Sequence, residues 1–316
     1  MQKLHRLTLM LFIFMTACSV QHPNTATPAP IVPPLSDPAP TPNAKIPNFD
    51  HIVIMVFENK EYESVIGNPD APVLNQLAQD NTLFTAFHAP THPSLPNYIA
   101  LIGGDTYGYT TNCTDCPVTA TNLADLLERS GRSWMTYQES MPKDCALFDL
   151  KGQYVAKHNP FLYFTSIVND KERCQAHVEE LSSLPEDEAE NKLADFIFIT
   201  PNMCNTGHDC GIDKTDAWLK ETLPPLITAL QQESDNYLVI LTWDEGTTKK
   251  SCCGLPSEAG GHIATIFISP HAKANFQDAT PYSSYSLLRT ISEGWGLPLL
   301  GHAADDETAL ILAPWK

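Results

Sequence analysis

The sequence predicts an α/β fold, a three-layer sandwich with a mostly parallel central sheet and helices on both faces. Apolar runs of strand length alternate with amphipathic stretches of helical length from about residue 50 onward. The strand runs are rich in Val, Ile and Phe without strict alternation, which indicates strands buried on both faces. The chain has 316 residues and is 43% apolar, which suits a substantial core and excludes a disordered or fibrous protein.

Six strands and six helices account for most of this pattern. The strands are predicted at residues 51–57, 82–87, 133–137, 196–200, 237–243 and 263–269. The helices, which carry apolar residues at three- and four-residue spacing, are predicted at 73–79, 95–102, 122–130, 174–183, 215–231 and 284–294. Pro224 and Pro225 are expected to break or kink the fifth helix, because proline lacks the donor that a helix interior needs.

Two segments precede this domain. Residues 1–17 have a basic head and a short apolar run ending in Met15-Thr16-Ala17-Cys18, which resembles a lipoprotein signal peptide with Cys18 as the lipid anchor. An ordinary signal peptide cut nearby is the alternative. Residues 18–49 are rich in proline and predict an extended tether. Residues 50–316 are then expected to form one domain, in a bacterial lipoprotein exported to the periplasm or cell envelope, or else secreted.

The cysteines fit an exported protein. Apart from Cys18 the chain has eight, at positions 113, 116, 145, 174, 204, 210, 252 and 253, an even number suited to disulfides in an oxidising compartment. Zinc bound by Cys113 and Cys116 is the alternative, since their spacing suits that metal. We expect Cys204 or Cys210 to bridge to Cys252 or Cys253, because both pairs flank candidate site segments.

The net charge of the chain limits which macromolecules it can bind. Nineteen basic and 37 acidic side chains give a formal charge of −18, which disfavours nucleic acid because its phosphates would be repelled. We expect a monomer that meets the membrane only through its N-terminal lipid.

Polar residues follow two of the predicted strands directly. Glu58 and Asn59 follow the first strand, and Asp244 and Glu245 follow the strand at 237–243. Ligand sites in such sheets lie beyond the carboxyl ends of the strands, where these oxygens could hold a divalent cation. Each pair alone could instead be a solvated turn. A third strand end carries Asn202, followed by His208.

A hydroxyl group at the start of a predicted helix completes the candidate site. Ser94 precedes Leu95-Pro96-Asn97, and it could simply cap that helix. The N-terminus of a helix also binds phosphate, and a hydroxyl beside a divalent cation becomes a nucleophile. Thr91 is the rival nucleophile.

The residues from His51 to Asn59, the Pro93-Ser94-Leu95-Pro96-Asn97-Tyr98 segment and Trp243-Asp244-Glu245 together resemble the phosphoesterase family. That family contains acid phosphatases and phospholipases C within the alkaline-phosphatase-like superfamily. The resemblance implies one divalent metal ion, of unknown identity, held by Glu58, Asn59, Ser94, Asp244 and Glu245. It implies that Ser94 is the nucleophile, that Asn97 and Asn202 bind substrate, and that His208 and His262 contact the phosphoryl group or assist the leaving group.

The sequence therefore predicts a metal-dependent phosphoric-ester hydrolase. A secreted acid phosphatase acting on phosphomonoesters, including phosphoinositides, through a phosphoseryl intermediate is the favoured function. A phospholipase C-type phosphodiesterase and a non-catalytic ligand-binding lipoprotein are the alternatives. A sulfatase is disfavoured because no Cys-x-Pro-x-Arg segment is present.

Overall fold

A mixed sheet of nine strands runs through the part of the chain that the computed structural model describes, residues 45–316. The signal peptide, Cys18 and nearly all of the tether lie outside the described residues and stay predictions. The strands are β1 His51–Phe57, β2 Thr82–His88, β3 Trp134–Gln138, β4 Val178–Glu180, β5 Phe196–Thr200, β6 Tyr237–Trp243, β7 His262–Ile268, β8 Phe276–Asp278 and β9 Tyr282–Ser283.

All strands except β7 run in the same direction, so their carboxyl ends point toward one edge of the sheet. The order is β4-β3-β5-β1-β6-β7-β2-β8, and β9 pairs with β2. Strand β7 is antiparallel to β6 and β2, while the other pairs are parallel. Strands β3, β5, β1, β6 and β2 therefore end where β7 begins. The prediction of a mostly parallel sheet is confirmed.

Helices cover both faces of this sheet. Phe57 packs edge-on against Trp218, and Phe196 packs edge-on against Trp295. Ile52 pairs with Phe196, and it points to the face opposite Phe57 because the two are five positions apart along β1. The helices are α1 Tyr62–Val65, α2 Pro72–Asp80, α3 Ser94–Gly103, α4 Leu123–Arg129, α5 Thr165–Val168, α6 Lys171–His177, α7 Leu184–Glu190, α8 Ile212–Glu233 and α9 Ser284–Trp295.

One helix predicted from the sequence is wrong, and the helix break expected at Pro224 and Pro225 does not occur. The helix predicted at 174–183 ends at His177, because the next residues join the sheet as β4, with Val178 paired to Thr136. Helix α8 continues through Pro224 and Pro225. Both prolines lie on its exposed side, so water can hydrate the carbonyl groups that lose their donors.

The two central strands set the position of the candidate site. Every residue of β1 and β6 is buried. Phe57 is the parallel partner of Trp243, and the N–H of Asp244 donates to the carbonyl oxygen of Phe57 at 2.9 Å. Glu58 and Asp244 consequently leave the sheet side by side. Within residues 45–316 we find no helix with the length and apolar character needed to cross a membrane.

Candidate active site

Three buried carboxylates meet at this edge of the sheet. Oxygens of Glu58, Asp244 and Glu245 all lie within 4.8 Å of one another, and each of the three residues is at most 5% exposed. A Cβ atom at Gly246 would overlap the Oε2 atom of Glu61, so a larger residue here would displace that carboxylate. The strand-end pairs are therefore not two separate solvated turns but one buried cluster.

Ser94 lies within this cluster. Its hydroxyl oxygen is 3.0 Å from Oε1 of Glu245 and 3.2 Å from Oε2 of Glu58, so its proton can go to either carboxylate. The expectation that Ser94 caps its helix is wrong. Pro93 is the N-cap and Ser94 the first helical residue, and the N–H of Leu95 donates instead to Oδ1 of Asn112 at 3.0 Å. The carboxylates draw the serine hydroxyl away from the helix end.

Two basic residues that the sequence did not single out complete the site. Lys157 and His158 belong to a 3₁₀ turn, Ala156–His158, far along the chain from the strand ends. The Nζ atom of Lys157 donates to the hydroxyl oxygen of Ser94 at 3.1 Å and lies 4.0 Å from Oε1 of Glu58. His158 contacts the same oxygen of Glu58 through Nε2. No strand or motif precedes this pair, so only the tertiary structure identifies it.

The charges of the cluster are unequal. Burial would raise the pKa of Glu58, but the adjacent His158 and Lys157 outweigh it and lower that pKa to about 2. Burial raises the pKa of Asp244 well above its ordinary value, and the charges of Glu58 and Glu245 add to the shift. Without a cation, Glu58 therefore loses its proton at a lower pH than Asp244 does. The Oδ2 atom of Asp244 is buried with no hydrogen-bond partner.

His92 and Glu61 both contact the segment that begins at Glu245 and continues to Thr248. His92 contacts Oε2 of Glu245 through Nδ1 and the carbonyl oxygen of Thr248 through Nε2, at 2.8 Å for the second contact. The hydrogen bond to Glu245 raises the pKa of His92 against the effect of burial. The carboxylate of Glu61 accepts hydrogen bonds from the backbone of Thr247, Thr248 and His262. Both residues keep this segment in one conformation.

The three candidate asparagines make contacts that hold loops in place. Asn59 has a positive φ of 54°, a conformation that asparagine tolerates, and its N–H donates to Oδ1 of Asp244 at 3.1 Å. The side chain of Asn97 is fully buried and bonded to the backbone of Thr91 and Pro93, on the turn before Ser94. Oδ1 of Asn202 accepts from the N–H groups of Cys204 and Asn205. Their roles toward metal and substrate stay predictions.

The two candidate histidines lie at different distances from this cluster. The ring of His208 is 6.5 Å from that of His158, and its Nδ1 atom is 2.7 Å from Asp209. The ring of His262 stacks on Tyr62 and His88, and its Nε2 donates to the carbonyl oxygen of Thr85 at 2.9 Å. The contacts of His262 are thus with α1 and with the neighbouring strand β2, and its part in the chemistry stays a prediction.

Thr91 is less well placed than Ser94 to act as nucleophile. Its hydroxyl group donates to the carbonyl oxygen of His92 at 3.2 Å. Thr91 also lines a cavity of about 290 Å³ whose walls include Tyr109, Tyr285 and Asp305. The geometry therefore favours Ser94, whose oxygen touches the carboxylates directly.

The eight cysteines form four disulfides. The pairs are Cys113–Cys116, Cys145–Cys174, Cys204–Cys210 and Cys252–Cys253. The expectation of disulfides is confirmed, and the zinc alternative at Cys113 and Cys116 is not. The predicted bridge between the 204–210 and 252–253 segments is wrong, because each segment closes on itself. The first of these loops is instead held to the strand end by the N–H of Glu58, which donates to the carbonyl oxygen of Thr206 at 3.1 Å.

The fold is similar to that of solved structures that share little sequence with this chain. A solved structure from Vibrio parahaemolyticus, described as a protein in that superfamily, superposes with a TM-score of 0.54 at 13% identity, covering 81% of this chain and 70% of the other. Residues 68–298 match the phosphoesterase family. The chain belongs to that family.

Named relatives agree with this assignment. A phosphate-repressible acid phosphatase of Penicillium chrysogenum is 34% identical over 269 residues, covering 83% of this chain and 63% of the relative. A phosphatidylinositol-3-phosphatase of Mycobacterium tuberculosis is 32% identical over 263 residues, covering 82% of this chain and 81% of the relative. The chain spans about six tenths of the length of the first fungal acid phosphatases it matches.

Proposed function

We propose that this chain is a divalent-metal-dependent phosphomonoesterase of the acid phosphatase type. The observation that carries the proposal is the buried hydroxyl of Ser94, which touches the carboxylates of Glu58 and Glu245 and the amine of Lys157. A hydroxyl placed between acceptors for its proton and a cation is suited to attack phosphorus. The similarity to acid phosphatases supports the choice of a phosphate ester.

A divalent cation fits the residues present. Glu58, Asp244 and Glu245 offer only oxygen ligands, and the Oδ2 atom of Asp244 is buried without a partner. Oxygen donors at this density suit a hard divalent cation. Asn59 and Ser94 complete the proposed ligand set. When bound, the cation would offset the charge of the phosphate and lower the pKa of the serine hydroxyl. We expect the protein as purified to contain one such ion.

The basic side chains around the cluster have separate roles in the proposed reaction. Lys157 stabilises negative charge on the oxygen of Ser94 and then on the phosphoryl group. His158 pairs with Glu58, and His92 pairs with Glu245, so each carboxylate keeps its orientation. His208 is the proposed proton donor to the departing alcohol, since it lies beside His158 at the edge of the site.

The reaction proceeds in two displacements. The proton of Ser94 passes to a neighbouring carboxylate while Ser94 Oγ forms a bond to phosphorus. The bond from phosphorus to the ester oxygen breaks, and the alcohol leaves with the proton supplied by His208. Water then gives a proton to His208 and attacks the phosphoserine, the bond from phosphorus to Ser94 Oγ breaks, and the carboxylate returns its proton to the serine oxygen as phosphate is released. Two in-line displacements give overall retention at phosphorus.

Trapping the phosphoserine tests the mechanism. Rapid mixing with an aryl phosphate, an acid quench and peptide mass spectrometry should locate phosphate on Ser94. Ser94→Ala should lower turnover by about 10³-fold or more and abolish the trapped species. Thr91→Ala serves as the matched control and should retain both. Full turnover by Ser94→Ala, with loss of turnover in Thr91→Ala, would show that Thr91 rather than Ser94 is the nucleophile.

A substrate panel separates this function from the alternatives. We expect monoesters, including phosphoinositides, to be hydrolysed faster than bis-aryl phosphates, and the similarity to a phosphatidylinositol-3-phosphatase supports a lipid head group among the substrates. Preference for diesters would indicate a phospholipase C-type enzyme. Metal binding without turnover of any ester would indicate a ligand-binding lipoprotein.

Export and lipid anchoring at Cys18 belong to the same proposal. They are supported by the signal-like N-terminus and by the cysteines, whose pairing suits an oxidising compartment. Mass spectrometry of the mature N-terminus, with Cys18→Ser as control, tests the anchor.

A further inference from the structure

Three exposed, large apolar side chains lie together on one loop. Leu147, Phe148 and Leu150 are 37%, 47% and 40% exposed, and they are the large apolar residues exposed within residues 45–316. The loop, residues 146–154, closes on itself. The hydroxyl of Tyr154 donates to the carbonyl oxygen of Ala146 at 2.8 Å, and the N–H of Leu150 donates to the carbonyl oxygen of Tyr154 at 2.8 Å. We call these residues the apolar loop.

Two lysines lie beside these apolar side chains. The Nζ atom of Lys143 is 5.6 Å from the ring centroid of Phe148, and Lys151 follows Leu150 directly. Residues 143–151 contain two lysines and two aspartates, so this stretch is neutral in a chain whose net charge is −18. An anionic surface would therefore meet less repulsion here than over the molecule as a whole.

The apolar loop is connected directly to the candidate active site. The carboxylate of Asp149 accepts a hydrogen bond from the N–H of Ala156 at 2.8 Å, at the start of the turn that carries Lys157. The carbonyl oxygen of Gln153 accepts from the N–H of Met203 at 2.8 Å, in the loop that follows β5. The exposed apolar side chains and the reactive serine thus lie at the same edge of the sheet.

We propose that the apolar loop is a docking element for anionic phospholipid bilayers. Phe148 and its two leucine neighbours would enter the boundary between head groups and acyl chains, where shallow burial of apolar side chains is favourable. Lys143 and Lys151 would bind lipid phosphates while their stems contact the acyl chains. A protein partner fits less well, because three side chains at a loop tip offer far less area than the roughly 1,000 Å² of a specific interface.

Docking of this loop would place the active-site edge against the lipid surface. The proposal goes beyond the proposed activity, because binding can be measured without any turnover. It is also distinct from an N-terminal lipid, which would tether the chain without orienting the domain.

Vesicle binding by the full chain carrying Cys18→Ser, which cannot be lipidated there, tests the proposal. Sedimentation with vesicles of phosphatidylcholine containing about one third phosphatidylserine should recover this protein. Phe148→Ser combined with Leu150→Ser should weaken partitioning by about tenfold or more. Since both side chains are exposed, turnover of a soluble aryl phosphate should not change, which also reports correct folding.

Two double variants that remove the same charge distinguish an effect of lysine contacts on vesicle binding from an effect of net charge. Lys143→Gln with Lys151→Gln should weaken binding to the anionic vesicles by about fivefold or more. Lys214→Gln with Lys220→Gln removes the same charge from exposed positions on α8 and should leave binding unchanged.

Three results would overturn the proposal. One is failure of the Cys18→Ser chain to bind anionic vesicles, and another is equal binding by the loop variants. The third is a concentration-dependent dimer, measured by analytical ultracentrifugation, that the loop variants abolish, because the apolar loop would then be an interface between copies of this chain.

Discussion

Replacing Asp244 with asparagine should stabilise the metal-free protein and abolish its stabilisation by divalent cations. The carboxylate oxygens of Glu58 and Glu245 lie within 4.8 Å of an oxygen of Asp244. Two full charges at that separation repel by about 3.5 kcal/mol at an effective dielectric constant of about 20. Proton uptake by Asp244 already relieves part of this repulsion. We therefore expect Asp244→Asn to raise the free energy of unfolding in chelator by about 1 to 3 kcal/mol.

Urea denaturation with chelator and with each divalent cation measures this effect. The wild type should gain stability as the cation concentration exceeds its Kd, by mass action. Asp244→Asn should gain little stability from the cation. The variant should therefore be the more stable protein in chelator, and the wild type the more stable protein with the cation.

The pH dependence in chelator gives a second measurement. The pKa of Asp244 is raised above its ordinary value of 3.8, so the folded state binds more protons than the unfolded state. Wild-type stability should therefore fall as pH rises above about 4, by at most about 1.4 kcal/mol per pH unit for one proton. The asparagine variant should lose this slope.

Asp216 offers a matched control. It is also buried, but its carboxylate accepts hydrogen bonds from the backbone of Val73 and Leu74, away from the cluster. Asp216→Asn should destabilise the protein equally with and without metal. The reasoning would be refuted if Asp244→Asn were less stable than wild type in chelator, or if metal stabilised both proteins to the same extent.

Three further predictions concern residues around the cluster. Lys157→Gln should lower kcat by about 10²-fold with little loss of metal affinity, because it removes a cation beside the proposed nucleophile rather than a proposed metal ligand. Steady-state kinetics and metal titration measure the two effects, and equal losses of kcat and metal affinity would indicate that the lysine only supports folding. Gly246→Ala should destabilise the protein by about 1 to 3 kcal/mol in chemical denaturation, because its Cβ atom overlaps Glu61; an unchanged midpoint would contradict this. In the metal-free wild type, the pairing with Glu245 raises the pKa of His92, so protonated His92 stabilises the fold below about pH 6.5 and this stability is lost as pH rises above that value. His92→Asn should not show this loss, and identical pH profiles of stability for the two proteins would exclude the pairing.

The sequence predicted the parts of the fold that depend on local pattern. Strands β1, β5 and β6 were predicted with the observed ends, since their continuous Val, Ile and Phe runs can only be buried. It was wrong at residues 178–180, where pairing with β3 overrides the helical spacing of the sequence. It was wrong also at the disulfides of the 204–210 and 252–253 segments, because spacing along the chain does not show which cysteines approach one another.

The candidate site divides in the same way. Strand-end position is a property of the chain itself, so Glu58, Asp244 and Glu245 could be predicted from sequence, as could Ser94 from the segment around it. Their meeting within 4.8 Å follows from the parallel pairing of β1 with β6. The contacts of Lys157 with Ser94 and of His92 with Glu245 join residues 63 and 153 positions apart. Such contacts have no local signature, so only the tertiary structure decided which cations balance the carboxylates that the sequence had already placed.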